Sequence, residues 1–258
     1  MADNAISGRL ALITGASGGI GAACARSLAA QGVNLALAYS TNLDGVLRLY
    51  RGLQTRNHEL PEQQRVRLSI HQGDLTCEGN IERIIAEARQ EHQAEVDILV
   101  ANAGYGQRIT DISDIPLSEF DLTLNINLRA PFLLTKGVVD GMKAQRWGRI
   151  IFISSIAAYG AGINGCHYAA SKGGLTGMMK NLASRLAEYN ISVNDVAPAM
   201  IGSTGMIPDS TSVPGVQSTI PLGRLGTPEE IANVVTMFAT TGYATGQSIV
   251  VGGGLRYL

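Results

Sequence analysis

The chain predicts one α/β domain built around a doubly wound parallel sheet of about seven strands with helices on both faces. Three observations carry this. Short apolar runs alternate with longer helix-period segments from end to end. The apolar runs are continuous rather than alternating, as in strands covered on both faces. No linker or composition break divides residues 1–258, a length that suits a single unit of this class.

The elements follow in order. "RLALITG" (9–15) reads as a buried strand and "IGAACARSLAAQG" (20–32) as a helix ending at Gly32. "VNLALAY" (33–39) is the next strand, and the Arg- and Gln-rich stretch 42–65 a helix with a surface loop. "VRLSIHQGD" (66–74), "VDILVANAG" (96–104) and "GRIIFISS" (148–155) are further strands. Between them lie an amphipathic helix, "EGNIERIIAEARQEH" (78–92), and a long helical region at 117–145. A helix over 165–189 leads to the strand "ISVNDVAP" (191–198). "TPEEIANVVTMFAT" (227–240) is a helix with a capping threonine, a first-turn proline and early acids. "GQSIVVGGG" (246–254) is the closing strand.

Composition removes several function classes. The chain is 45% hydrophobic and 16% charged with a net charge of −1, which offers no electrostatic case for nucleic acid or an anionic membrane. No segment approaches the roughly 20 apolar residues that span a bilayer. Cys24, Cys77 and Cys166 show no CxxC or metal-ligand spacing and read as reduced thiols. His58, His71, His92 and His167 have no ligand spacing either, so no metal is expected. "MADNAISGR" lacks a signal-peptide pattern, and a cytoplasmic location is expected.

Directly after the first strand, "TGASGGIG" (14–21) runs into a helix. Gly15, Gly19 and Gly21 would let the backbone approach a pyrophosphate while free helix N–H groups point at it. The spacing is G-x-x-x-G-x-G, which departs from the dinucleotide fingerprint G-x-G-x-x-G. Tyr168 and Lys172 in "HYAASKGG" stand four apart on one helix, hence on one face. A cation beside a phenol stabilises the phenolate, which makes an acid/base group of a residue otherwise inert at neutral pH. Ala169, Ala170, Ser171, Gly173 and Gly174 read as small neighbours that let a ligand approach the helix. Ser155, thirteen residues before Tyr168 at a strand end, can donate a hydrogen bond to a carbonyl oxygen.

These motifs, with "NAG" (102–104) and Asn127 in "NINLRAPF", stand in the order seen in the short-chain dehydrogenases/reductases, and the chain resembles that family over nearly its whole length. The subgroup it looks like is the 3-oxoacyl-acyl-carrier-protein reductases and their polyketide and sugar-alcohol relatives. The resemblance implies a Rossmann-type domain and a nicotinamide cofactor. It implies hydride transfer between that cofactor and a ketone or secondary alcohol, with Asn127, Ser155, Tyr168 and Lys172 as the catalytic set. Cofactor contacts are expected from Gly15, Ser17, Gly19, Ile20 and Gly21, from Ser40, Thr41 and Asn42, and from Asp74 and Leu75. Further contacts are expected from Asn102, Ala103, Gly104, Tyr168, Lys172, Pro198, Ile201, Ser203 and Thr204. On sequence alone Asp74 reads equally as a turn aspartate.

The second strand ends "AYSTN", with no acid before Asp44. Ser40, Thr41 and Asn42 can hydrogen-bond a phosphate, whereas the arginine often found inside the glycine turn of NADP-dependent relatives is absent; the reading is NADP(H), with NAD(H) second. Arg48 and Arg51 read as helix-face charges. The Gly-, Ser-, Pro- and Met-rich stretch 199–220 is expected to cover the substrate, which the resemblance makes a small-molecule or carrier-bound ketone. "PA" replaces the family's "PG" at Pro198–Ala199, and the threonine that follows in the family matches Thr204 with one inserted residue or Ser203 without it. Tyr105, Gln107, Arg108, Tyr159, Met200 and Met206 are pocket or rim candidates. The helices at 117–145 and 165–189, with the terminal "LRYL", resemble family interfaces and imply a homotetramer.

Overall fold

In the computed structural model, residues 4–209 and 215–255 are described. Seven parallel strands form one sheet in the order β3-β2-β1-β4-β5-β6-β7. They are β1 (Leu10–Thr14), β2 (Asn34–Tyr39), β3 (Leu68–Gln72), β4 (Ile98–Ala101), β5 (Gly148–Ile153), β6 (Ile191–Pro198) and β7 (Ser248–Val251). The helices are α1 (Gly19–Ala30), α2 (Leu43–His58), α3 (Glu78–His92), α4 (Leu117–Leu124), α5 (Ala130–Gln145), α6 (Cys166–Leu186), α7 (Val216–Thr219) and α8 (Pro228–Thr240). The expected doubly wound sheet is therefore the observed one.

Why the central strands read as unbroken apolar runs is visible in the packing. Ala11 and Ile13 of β1, with Ile98 and Val100 of β4, face a core completed by α1, α2 and α8. Leu10, Leu12, Leu99 and Ala101 face the opposite core, with α3, α5 and α6. Both faces are dry, so no polar alternation survives. The order in which successive strands join the sheet reverses between β1 and β4, the topological switch point, where a crevice opens at the strand ends.

Several boundaries tighten. The first helix ends at Ala30, with Gly32 following at φ +79°. The run expected over 246–254 pairs only as Ser248–Val251. The helical region at 117–145 is interrupted by a π-helical turn, Asn125–Arg129, between α4 and α5. Such wide turns commonly mark functional sites, and this one buries Asn127. Part of the expected covering segment, 210–214, and most of the terminal "LRYL", 256–258, lie outside the described residues. Among the described residues no helix is long and apolar enough to cross a membrane, and no cluster of potential metal ligands occurs.

Candidate active site

The ends of β1 and β4 are fastened together by Thr14 and Asn102. The Thr14 hydroxyl accepts hydrogen bonds from the backbone N–H groups of Asn102 (3.1 Å) and Ala103 (3.0 Å). Asn102 Nδ2 donates to the carbonyls of Thr14 (2.9 Å) and Gly15 (3.2 Å). Gly15 holds φ +64°, in the left-handed region, and a Cβ there would stand 2.9 Å from Asn102 Nδ2. On Gly21 a Cβ would collide with the Gly15 carbonyl. The α1 N-terminus has no side-chain cap, which leaves its free N–H groups for another acceptor. This is a cradle that fits a pyrophosphate.

A cavity of about 330 Å³ extends from this cradle. It gathers Gly15, Ser17, Ser40, Thr41, Asn42, Asp74, Leu75, Ala103 and Gly104 of the expected contacts. Two of these are partly engaged already. Asn42 caps α2 through Oδ1 (2.9 Å to the Gly45 N–H), and Asp74 Oδ1 accepts from the Thr76 N–H at 2.9 Å. A larger cleft of about 720 Å³ holds Ser17, Gly19 and Ser203, together with Arg48. Ile201 is buried in the core, and Ile20, half-buried at the start of α1, packs against it. Thr204 spends its hydroxyl on the Ile201 carbonyl (3.1 Å) and the Ile207 N–H (3.0 Å). Ser203, not Thr204, is the residue whose carbonyl crowds Gly19. After Pro198 the backbone turns left-handed at Met200 (φ +54°) and Ser203 (φ +55°), not at Ala199.

Tyr168 and Lys172 lie side by side on α6, the Lys172 Nζ 5.7 Å from the phenol ring centroid. Both are buried. Lys172 Nζ donates to the Ile153 carbonyl at 2.9 Å, which ties it to the strand end that carries Ser155. Asn127 Oδ1 accepts from the Tyr105 N–H (2.8 Å), and its Nδ2 donates to the Tyr105 carbonyl (2.7 Å) and to Ser171 Oγ (3.1 Å). A Cβ on Gly104 would stand 3.5 Å from both Asn127 Oδ1 and Lys172 Nζ. Gly104 thus joins the smaller cavity to the Tyr168–Lys172 edge.

Burial sets the electrostatics. It raises the Tyr168 phenol above its ordinary value, and hydrogen bonding with Ser155 pulls it back. Burial pushes Lys172 down to about 8, and the charge of Asp195 opposes that fall. The sequence reading has the cation lower the phenol; here desolvation is the largest influence on both groups. The small residues of the helix also divide their work. Ser171 joins Asn127 to the Tyr168 carbonyl, and a Cβ on Gly174 would press to 2.9 Å from Leu128. That glycine serves helix packing rather than ligand approach.

The short chain dehydrogenase family matches residues 9–213. The chain belongs to the short-chain dehydrogenase/reductase family. It is an oxidoreductase of that family, and its likenesses run through both sequence and structure. It is 35% identical over 254 residues to a 3-oxoacyl-[acyl-carrier-protein] reductase of Rickettsia bellii, covering 97% of this chain and 98% of that one. A blue fluorescent protein from a metagenomic library, solved in complex with NADPH, superposes with a TM-score of 0.85 at 32% identity, covering 97% of this chain and 98% of the other. Levodione reductase superposes with a TM-score of 0.87 at 26% identity, covering 96% and 98%.

The sequence missed the placement of Arg48 and Asp195, while His167, expected as a packing or pocket residue, gains partners that spacing did not show. Arg48 enters the cleft beside Ser17 and Gly19, and its helix-face position gave no sign of which way the face looks. His167 is fully buried, its Nε2 3.2 Å from the Gln107 carbonyl and 4.0 Å from Glu119 Oε1. Glu119 in turn accepts from the Tyr105 hydroxyl at 3.1 Å. Asp195 sits without exposure in the middle of β6, and its signal was present: a charged residue inside an otherwise core strand.

Proposed function

We propose that this oxidoreductase is NADP(H)-dependent and interconverts a ketone and a secondary alcohol, acting as a 3-oxoacyl-thioester reductase. The observation that carries the reading is Gly104, which lines the nucleotide-sized cavity and stands beside Lys172 and Asn127. A cofactor laid from the Ser40–Asn42 rim past the glycine turn therefore leads to the Tyr168–Lys172 edge. The cradle fits the group because the α1 N-terminus has no side-chain cap and its N–H groups stand free beside a turn packed too tightly for a side chain at Gly15 or Gly21.

When bound, the nicotinamide supplies or accepts the hydride. The chain's own residues handle orientation and protons. The Ser155 hydroxyl donates to the carbonyl oxygen and aims it. Tyr168 passes its phenolic proton to that oxygen as negative charge develops there. Lys172, as an ammonium, steadies the phenolate left behind and holds the ribose. Asn127 fixes the Tyr105 main chain at the edge of the same space.

NADP(H) over NAD(H) is supported by the Ser40–Asn42 rim, which lacks a carboxylate to repel a 2′-phosphate. Arg48, lining the cleft with Ser17, adds positive charge. Affinity for NADH about tenfold tighter than for NADPH would overturn the assignment. The thioester is supported by the Rickettsia relative. A second substrate class, a small cyclic or sugar ketone, draws on the likeness to levodione reductase. NADPH oxidation measured with an acetoacetyl thioester, a cyclic diketone and a keto-sugar separates the two. Turnover of the thioester is expected; turnover of only the others would keep the mechanism and replace the substrate. We further place the enzyme in the cytoplasm as a homotetramer, in keeping with its three free cysteines and the exposed Leu122 and Phe132 on α4 and α5.

A further inference from the structure

β6 is buried along its length, yet it carries Asn194 and Asp195 at its centre, both without exposure. Asn194 is accounted for: it donates to the Ala244 carbonyl (2.7 Å) and accepts from the Gln247 N–H (3.0 Å), fastening the turn before β7. Asp195 draws its partners from three elements. Its Oδ1 accepts from the hydroxyls of Ser154 (2.9 Å) and Ser248, and its Oδ2 from the hydroxyl of Thr176 (2.9 Å). Those hydroxyls come from the end of β5, from α6 and from β7. Three converging O–H donors are what a carboxylate, an acceptor only, requires.

A carboxylate withdrawn from water is costly without a compensating cation. Among the described residues no lysine or arginine forms an ion pair with Asp195. Lys172 stands one helical turn before Thr176 on α6, on the same side of the helix as the hydroxyl that bonds Asp195. The negative charge of Asp195 there favours the protonated form of the lysine. The two groups also share an anchor. Lys172 Nζ bonds the Ile153 carbonyl, and the next residue, Ser154, bonds Asp195 and precedes Ser155.

We propose that Asp195 is a positioning residue that acts through space to keep Lys172 protonated in the working enzyme. The inference rests on the reading of Lys172 as the ammonium of the site. Among the described residues the titratable groups placed near Lys172 are Tyr168 on α6, its ring centroid 5.7 Å from Nζ, and Asp195 on β6, bonded to Thr176 one turn along the same helix. β5 offers the Ile153 carbonyl and Ser155, and the π-helical turn offers the uncharged Asn127. Burial drives the Lys172 proton off, and the carboxylate counters it, with no contact between the two required.

The test is the pH dependence of NADPH binding, followed by nucleotide fluorescence from about pH 6 to about pH 10, beside the pH profile of ketone reduction. In the wild type both should weaken as Lys172 loses its proton near pH 8. Asp195→Asn should move that break to lower pH by about one unit. Thr176→Val, which removes a hydrogen bond but keeps the carboxylate, should lose thermal stability and leave the break in place. If Asp195→Asn does not fold, Asp195→Val combined with Thr176→Val exchanges the buried polar pair for apolar groups and should show the same acid shift. A break that stays put in the charge-removing variant would overturn the role of Asp195 and leave Lys172 intact. A wild type without any break in binding would overturn both together.

Discussion

Tyr168 is 7% exposed and Lys172 3%, so each charge they bear is set by the protein rather than by bulk water. Removing the phenolic oxygen with Tyr168→Phe keeps the ring's packing and deletes the proton donor. Turnover should fall by about a thousandfold. The NADPH dissociation constant, followed by fluorescence, should stay within about threefold. Near-normal turnover would sink the role given to Tyr168. Arg48 belongs to the same scale. It is exposed and carries its charge into a cleft lined by Ser17 and Gly19, where water screens it. Arg48→Ala should weaken NADPH binding by about three- to tenfold and spare NADH. Equal loss for both nucleotides would mean that Arg48 does not read the 2′-phosphate. Spacing alone brought Tyr168 and Lys172 together, because two positions four apart on a helix share a face wherever the helix lies. Arg48 and Asp195 needed the tertiary structure, since their meaning depends on what the neighbouring elements present.

At the scale of elements, β3 and α3 enclose a buried polar chain. Ser69 Oγ lies 2.7 Å from His71 Nε2 and 2.8 Å from His92 Nε2, and His71 Nδ1 lies 3.3 Å from Glu87 Oε2. The partners assign the protons: His71 donates through Nδ1 to Glu87, Ser69 donates to His71, and His92 donates through Nε2 to Ser69. That leaves His92 Nδ1 buried with no partner. Burial lowers His92 from 6.5 to about 4, with Arg67 and His71 adding to the fall. A depressed imidazole favours the folded state while it stays neutral. The contribution is therefore complete above pH 6.5 and is lost as pH falls toward 4. It amounts to at most about 3 kcal/mol. Chemical denaturation at a series of pH values should show this loss, and His92→Phe should flatten it; an unchanged slope in that variant would locate acid sensitivity elsewhere. At α8, Thr227 and Glu230 form a reciprocal capping box, and Thr227→Ala should cost about 1 kcal/mol and lower the melting temperature by about 3 °C. The cap was legible because Thr, Pro and Glu stand at fixed offsets. The π-helical turn at Asn125–Arg129 was not, because one extra residue in a turn leaves no composition mark.

Across the whole molecule the sheet's two-sided burial explains why a parallel, doubly wound sheet was legible in the apolar runs, while the homotetramer was expected from resemblance alone. Parallel strands must hide both faces, and that requirement is written into each apolar run. An interface between copies is written only as apolar groups left on the surface, which a single chain cannot distinguish from scattered exposure. The structure sharpens that question at α4 and α5. Phe132 is 51% exposed and Leu122 36%, on helices whose other faces are committed to the core through Thr123, Leu134, Val138 and Met142. Such outward apolar groups on consecutive helices suit a self-complementary face, the commonest way for two identical chains to pair. A homotetramer should give a light-scattering mass about four times the chain's 27.2 kDa at micromolar concentration. Phe132→Asp sets a charge on that face without touching Tyr168 or Lys172. It should lower the mass to that of a smaller species while the NADPH dissociation constant, per chain, stays within about threefold. A wild-type mass of a single chain would remove the tetramer from the proposal. A variant that stays tetrameric would shift the interface away from α5.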